Sequence, residues 1–510
     1  MIIVDLMVLS VVMIYLVAPP DLCSSLQSNS NRQSTLFRKA QSRWPGCPCV
    51  HSFGAVFFSI AVVLGLFLSS ANASNWYVRP SAAGSANGSS WSNAWSLNGI
   101  SWGNVAAGDT IWMAGGSYPG FSFGQSGAAG KPITLSRVRS SDAVPVAAAG
   151  WSSSFDSQVV FSSGIVLSSV SYVTIDGHQW TPPGLPKTYG MLIQNPGSPT
   201  DSTINVGVRM GSNTTVRNVE IAGPGYEVTK YETDGIIFDS GCLVSGCKVH
   251  DMDTLLKSWI GMANTTVEYT TLYNVGSIIV STPGVGPHPD SYYSSGASTN
   301  LTVRYCVMAN VVSEAFFFDM GGQTGTTFYG NIFVQGNTVP AGSSAIQVKE
   351  GYSYGTFFLY NNTFVNWSKG VLLDDYDNPP PVISSSSVVQ NNLFVNCNNG
   401  FDNNSPPYIK TQYNGYALGS VKVYGGPEAN ATVSSVNPFV SPSAAGQDPT
   451  GNFAGYALTT GSWPVGKGSD LGAPYDIDMN GNKIGSTLGA LAAAGSVPQA
   501  PQGLRITTSN

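Results

Sequence analysis

The chain has 510 residues, and charged residues make up only 10% of it, against a usual share of about 25%. Its 58 glycines and 31 prolines, with abundant Ser, Thr and Asn and few Glu or Lys, exclude a helical bundle, because helix formers are scarce while β-branched and turn residues dominate. A formal net charge of -6 without any basic run leaves nothing to neutralise a phosphate backbone, so no nucleic-acid partner is expected.

Two apolar stretches open the chain, one from Ile2 and one from Phe53. Arg38, Lys39 and Arg43 precede the second, and Ala71-Asn72-Ala73 ends it in the small-x-small form that signal peptidase cuts. Residues 1–73 therefore read as a leader with a signal peptide. The mature chain is expected to begin near Ser74, to be secreted (extracellular or periplasmic) and to be free of the membrane once the signal is removed. The competing reading is a membrane anchor, since the run approaches the length of a span. Cys23, Cys47 and Cys49 fall in the leader, which leaves Cys242, Cys247, Cys306 and Cys397. These are too few for a disulfide framework in so long a chain. Cys242 and Cys247 either pair locally or are small buried apolar residues.

Seven similar segments follow one another: VRNVEIA from Val216, VSGCKVH from Val244, VEYTTLY from Val267, VRYCVMA from Val303, FYGNIFV from Phe328, LYNNTFV from Leu359 and VQNNLFV from Val389. Their starts are 28, 23, 36, 25, 31 and 30 residues apart, by subtraction. Each reads as a short strand pair bent at a polar residue. Asn331, Asn362 and Asn392 share one place in three consecutive repeats, where stacked asparagines can satisfy one another's amides. A second apolar run follows each segment: DGIIFD from Asp234, DTLLKS from Asp253, DSYYSS from Asp290, EAFFFD from Glu314, SAIQVK from Ser344 and KGVLLD from Lys369. Strand groups recurring once per turn describe a solenoid of β-coils, and the hairpin signals that a sandwich or barrel needs are weak.

This pattern resembles the single-stranded right-handed parallel β-helix of the pectate-lyase-like superfamily. The opening segment NWYVRPSAAGSANGSSWSNAW, followed by AGDTIWMAGGSYPG, GKPITL and YVTIDG, is similar to the N-terminal cap of secreted bacterial members. The organisation expected is an N-terminal cap with first coils over 74–150, a β-helix core over 151–425, a closing segment over 426–490 and a linker or tail over 491–510. The resemblance implies a carbohydrate-active enzyme, expected to be a monomer, with a polysaccharide as its partner.

Aligning the second runs places Asp234, Asp253, Asp290 and Glu314 on successive coils, about 4.8 Å apart. The long step before Val303 adds a loop that carries His288 beside Asp290, with Pro289 fixing the backbone between them. Carboxylates stacked this closely raise one another's pKa. The repulsion is relieved by a bound Ca²⁺ held by Asp253, Asp290 and Glu314, by a proton shared within a pair as in glycosidases, or by a basic residue such as Lys257 or Lys349. The competing reading is that the acids cap turns. Tyr292, Tyr293 and Asp319 are the candidate substrate contacts, with Trp259 and Phe316 as further aromatics that either stack on sugars or belong to the core.

SSAIQVKEGYSYGTFFLYNNTF, from Ser343, is similar to a motif of the chondroitinase B and alginate lyase family. That resemblance implies Lys349 as the base. Ser344, however, stands where the family's calcium-binding acid is expected, and KGVLLDDYDN has no arginine where its catalytic arginine belongs. HPDSYY is similar, in reversed order, to the Asp-Pro-His of mannuronan epimerases. Asn213, Asn264 and Asn300 head glycosylation sequons, but they recur at one turn of the repeat, so turn chemistry explains them better. The expected function is a polysaccharide lyase cleaving an acidic glycan by β-elimination. Lys349, Lys257, His288 and Asp290 are the candidate catalytic residues. The alternatives are a polygalacturonase-type glycoside hydrolase using paired acids, or a non-catalytic β-helix adhesin or surface protein.

Overall fold

The computed structural model describes residues 73–195, 205–225, 233–276, 289–336, 344–349, 351–373, 381–402, 409–422, 428–441 and 453–495. The leader and His288 lie outside these residues, and so does Glu350. Among the described residues no helix is long and apolar enough to cross a membrane.

Three long sheets make up the body. The first has 12 strands, from Asn75–Val78 to Lys410–Gln412, and the second has 12, from Gly116–Tyr118 to Thr432–Ser434. The third has 10, from Phe121–Ser122 to Asn399–Asp402. Neighbours within each sheet are one coil apart in sequence and run parallel. This is the parallel β-helix expected from the repeat, and its right-handed sense is that of nearly all parallel β crossovers.

The repeats superpose because their apolar positions fall in register. Val216, Val244, Val267, Val303, Phe328 and Leu359 stack in the first sheet. Phe333, Phe364, Phe394 and Tyr416 stack ring on ring in the second, with centroids 4.7, 4.9 and 5.3 Å apart. The sharp corner between these sheets needs a left-handed residue on each coil. Asn218, Tyr269, Tyr305, Asn361, Asn391 and Tyr413 all have positive φ there, a conformation that Asn tolerates and Tyr adopts only under tertiary constraint. Gly246 and Gly330 fill the same corner on two coils.

One residue further on, the asparagine column forms as expected. Nδ2 of Asn331 donates to Oδ1 of Asn362 at 2.9 Å, and Asn362 to Asn392 at 3.0 Å. Each Oδ1 also accepts the backbone N–H of the coil before it. The column runs further than the repeat pattern suggested: Asn392 donates to Asn414 at 3.0 Å, and Asn414 ends on Oε1 of Glu428 at 2.8 Å. Asn213, Asn264 and Asn300 have φ of 56, 54 and 57°, and Asn300 donates to Asn264 at 2.9 Å, so these asparagines form turns. The four described cysteines are buried and unpaired with one another.

Residues 453–495 return along the outside of the second sheet. Tyr305 donates to the Pro474 carbonyl at 3.2 Å, Asn361 to that of Tyr475 at 2.6 Å, and Asn391 to that of Ser469 at 2.7 Å. Leu458, Met479, Leu488 and Leu491 bury Val307, Ile332, Val334, Leu393 and Val395 beneath them.

Candidate functional site

The third sheet carries the acids. Leu255 and Leu256 both face the core, as do Ala315 with Phe316 and Ala345 with Ile346. Two consecutive inward residues leave the positions on either side to face outward. The outer face thus has a column at Asp234, Thr254, Asp290 and Glu314, and another at Arg209, Ile237, Lys257, Tyr293, Phe317 and Gln347. These columns converge where Nζ of Lys257 lies 3.3 Å from Oδ1 of Asp234.

Asp253 is not a member of the acidic column. Asp234 pairs with Thr254, and the Asp253 N–H donates instead to the Thr233 hydroxyl at 3.1 Å. Asp253 is fully buried, and among the described residues neither carboxyl oxygen has a hydrogen-bond partner. Burial pushes its pKa up to about 7, opposed by the nearby Thr254 hydroxyl. Asp234 is raised well above the carboxylate range by burial and then by Asp253, with Arg209 opposing. Asp290 is raised by burial and then by Glu314, whose backbone N–H it accepts at 3.1 Å. Ser313 donates to Glu314.

Of the three acids expected to hold calcium, Asp253 stands one residue off the column, and among the described residues no group of three His, Cys, Asp or Glu side chains is placed to hold a metal ion.

Lys257 has no exposed surface. The Trp259 ring centroid lies 4.0 Å from its Nζ, and the Tyr293 ring 5.5 Å away. Burial lowers its pKa to about 7, with Asp290 raising it and Arg209 lowering it further. An amine in this state is neutral in a large fraction of molecules at neutral pH, the condition a lysine base requires.

Three coils along, a second group is accessible. The Lys349 side chain is 37% exposed, and its Nζ lies 2.5 Å from Oδ1 of Asp319. Oδ2 of Asp319 accepts the Tyr293 hydroxyl at 2.6 Å. Tyr293 thus connects the two lysines: its ring lies near Lys257 and its hydroxyl reaches the carboxylate that holds Lys349. Tyr292 cannot touch a substrate. It is fully buried, packed inward among Phe238, Phe316 and Phe318. Phe316 likewise belongs to the core.

Two residues of the outer face escaped the sequence reading. Arg209 shapes the pKa of both Asp234 and Lys257, and Gln347 lies beside Phe317. Arg209 sits in no motif, and Gln347 lies in the Ser343 motif without being singled out; the register is what reveals both. On the second sheet, His250 is held between Asp251 at 2.7 Å and Glu220 at 3.1 Å. Both its ring nitrogens are engaged, and the pair of carboxylates raises its pKa against burial.

No protein-family model matches the chain, and no curated protein matches it. Several solved structures are similar in part. Pectate lyase Pel9A is 17% identical, with 82% of this chain and 96% of that one covered at a TM-score of 0.45. A PL6-family polysaccharide lyase from Pseudopedobacter saltans is 14% identical, with coverage of 68% and 91% and a TM-score of 0.40. A GH87 alpha-1,3-glucanase from Streptomyces thermodiastaticus is 12% identical, with coverage of 64% and 62% and a TM-score of 0.33.

Proposed function

We propose that the outer face of the third sheet is the active site of a secreted polysaccharide lyase acting on an acidic glycan. The observation that carries this reading is the pair of unlike lysines on one face: a dry amine at Lys257 and an accessible, ion-paired ammonium at Lys349. β-Elimination needs both. A cation must neutralise the uronate carboxylate so that the proton on the adjacent carbon becomes acidic, and a neutral base must remove it.

In this reading Lys349 meets the substrate carboxylate, with Asp319 and Tyr293 fixing its position. Lys257 takes the proton through its nitrogen lone pair. The electron pair released becomes the new carbon–carbon double bond, and the carbon–oxygen bond to the leaving sugar breaks. Water gives a proton to the departing oxygen, and the hydroxide left takes the proton from Lys257, which regenerates the neutral amine. Asp234, whose Oδ1 lies 3.3 Å from the amine, accepts a hydrogen bond from it once it is protonated. The roles differ from those the motif resemblance implied, since the exposed Lys349 is ion-paired and the neutral amine is at Lys257.

A hydrolase reading has one observation in its favour. Asp290 and Glu314 are column neighbours, and burial and then Glu314 raise the pKa of Asp290, the direction an acid partner needs. The product decides between the two. Incubation with oligogalacturonate and oligoalginate should release unsaturated uronides that absorb in the ultraviolet. Release of saturated sugars would establish the hydrolase, and binding without any cleavage would establish a non-catalytic solenoid.

A further inference from the structure

The buried amine of Lys257 poses a problem for any chemistry at this face, because a substrate cannot touch an atom with no exposed surface. Trp259 bears on it directly. It follows Lys257 by two residues, just past the end of the strand Thr254–Ser258, and its ring lies against Nζ. The same side chain is 40% exposed, unusual for a residue of this size. The Ser295 hydroxyl donates to the carbonyls of Ser258 and Trp259 at 3.1 and 3.2 Å, which fixes the backbone under the ring. Ile260 and Met320, which follow Trp259 and Asp319 in sequence, are also exposed and extend an apolar rim beside the charged groups.

We propose that Trp259 is a positioning residue with two working faces: the inner face shields the Lys257 amine from water, and the outer face receives a pyranose ring of the glycan, whose arrival moves the indole and uncovers the amine. This rests on the lyase reading of the same site. An indole is suited to both tasks, since its π-face attracts an ammonium and its flat apolar body matches the C–H face of a sugar. Among the described residues Lys257 is otherwise faced by Arg209 and Asp234 from the preceding coils and by Asp290 and Tyr293 from the next, with Asp253 acting on Asp234 and Asp290. Among the described neighbours Trp259 is both in contact and exposed, so a ligand can displace it. Admitting water would return the amine toward the ordinary lysine range, and the rising limb of kcat/KM would move to higher pH.

The test is reductive methylation at neutral pH, read by mass spectrometry at Lys257, with Lys349 as the exposed internal standard. Wild type and Trp259→Phe should leave Lys257 almost unmodified. Trp259→Ala should label it at least several-fold more, and so should wild type with saturating oligogalacturonate or oligoalginate. For the glycan cleaved, Trp259→Ala should also raise KM about three- to tenfold, the loss expected for one aromatic contact, and shift the pH profile upward. Equal labelling of Lys257 in wild type and Trp259→Ala overturns the proposal. So does a labelling difference without any response to either oligosaccharide in an enzyme that cleaves it. Labelling reads the shield independently of turnover. Absence of unsaturated product from every glycan would instead overturn the lyase reading and leave the Trp259→Ala labelling difference intact.

Discussion

Two buried polar columns run along this solenoid, and they are built on opposite terms. The amide column from Asn331 to Asn414 is closed: each Nδ2 has an acceptor, each Oδ1 has donors, and Glu428 ends the series. The acidic column is open. One oxygen of Asp234 and both of the adjoining Asp253 lack partners among the described residues, and burial raises the pKa of both, as it does that of Asp290. Neutral groups that satisfy one another stabilise coil stacking. Carboxyls in the same surroundings cost stability, and such cost is commonly retained where it serves chemistry. The contrast separates scaffold from site more sharply than residue type alone.

The largest expected effect lies on the open side. Lys257→Met keeps the apolar stem and removes the amine. Initial rates should fall about 10²–10⁴-fold, the usual loss for a general base, while the melting temperature holds or rises because a costly buried amine is gone. A mutant of near-normal activity would make Lys257 structural.

On the closed side, Asn362→Ala should do the reverse. It removes the donor to Asn392 and the Phe328 carbonyl and the acceptor for Asn331. Leaving several buried groups unpaired should cost about 3 kcal/mol or more in denaturant unfolding, with the active-site pH profile unchanged in whatever protein remains folded.

Asp253 sharpens the comparison through pH. Its folded pKa, about 7, lies above the unfolded value. The folded state therefore holds the extra proton, and stability falls as pH rises from about 4 to about 7, by roughly 2–4 kcal/mol from this group. Asp253→Asn should remove that slope. Unfolding curves at several pH values, wild type against mutant, would show it; parallel curves would mean the carboxyl is ionised without cost.

The smallest effect belongs to the exposed turn at Asn300. Glycine tolerates its positive φ, and the bond to Asn264 lies in water, so Asn300→Gly should change stability by about 0.5 kcal/mol or less. A large loss would show that exposed and buried amide columns do not differ as the burial argument requires.

The repeat made the fold legible because apolar positions recurred at every coil. Asn331, Asn362 and Asn392 were readable for the same reason. Asn414 was not, because QYNGYA lacks the Phe-Val ending of the others, and Glu428 lies in no repeat. In the site, Asp234, Asp290 and Glu314 were correctly aligned. Asp253 was misplaced by one residue because DMDT offers an acid just before the threonine that actually faces outward. Tyr292 and Tyr293 are indistinguishable in sequence. Two consecutive inward residues on each coil break the alternation that would have sorted them. The C-terminal arm was expected only as a closing segment over 426–490; its path was not legible, since it has no periodicity and takes its course from the surface it covers.

The proposed chemistry turns on the state of one amine, so the direct measurement is the titration of Lys257. Labelling the lysine side chains and following each by NMR, with Lys257→Met to assign the resonance, gives its pKa without reference to any substrate. A midpoint near 7 is the value its surroundings impose. A midpoint near the ordinary lysine value of about 10.4 would mean that Lys257 is a charged partner of Asp234 and Asp290 and not a base, and the acidic column would then be a buried ion-pair network rather than an active site.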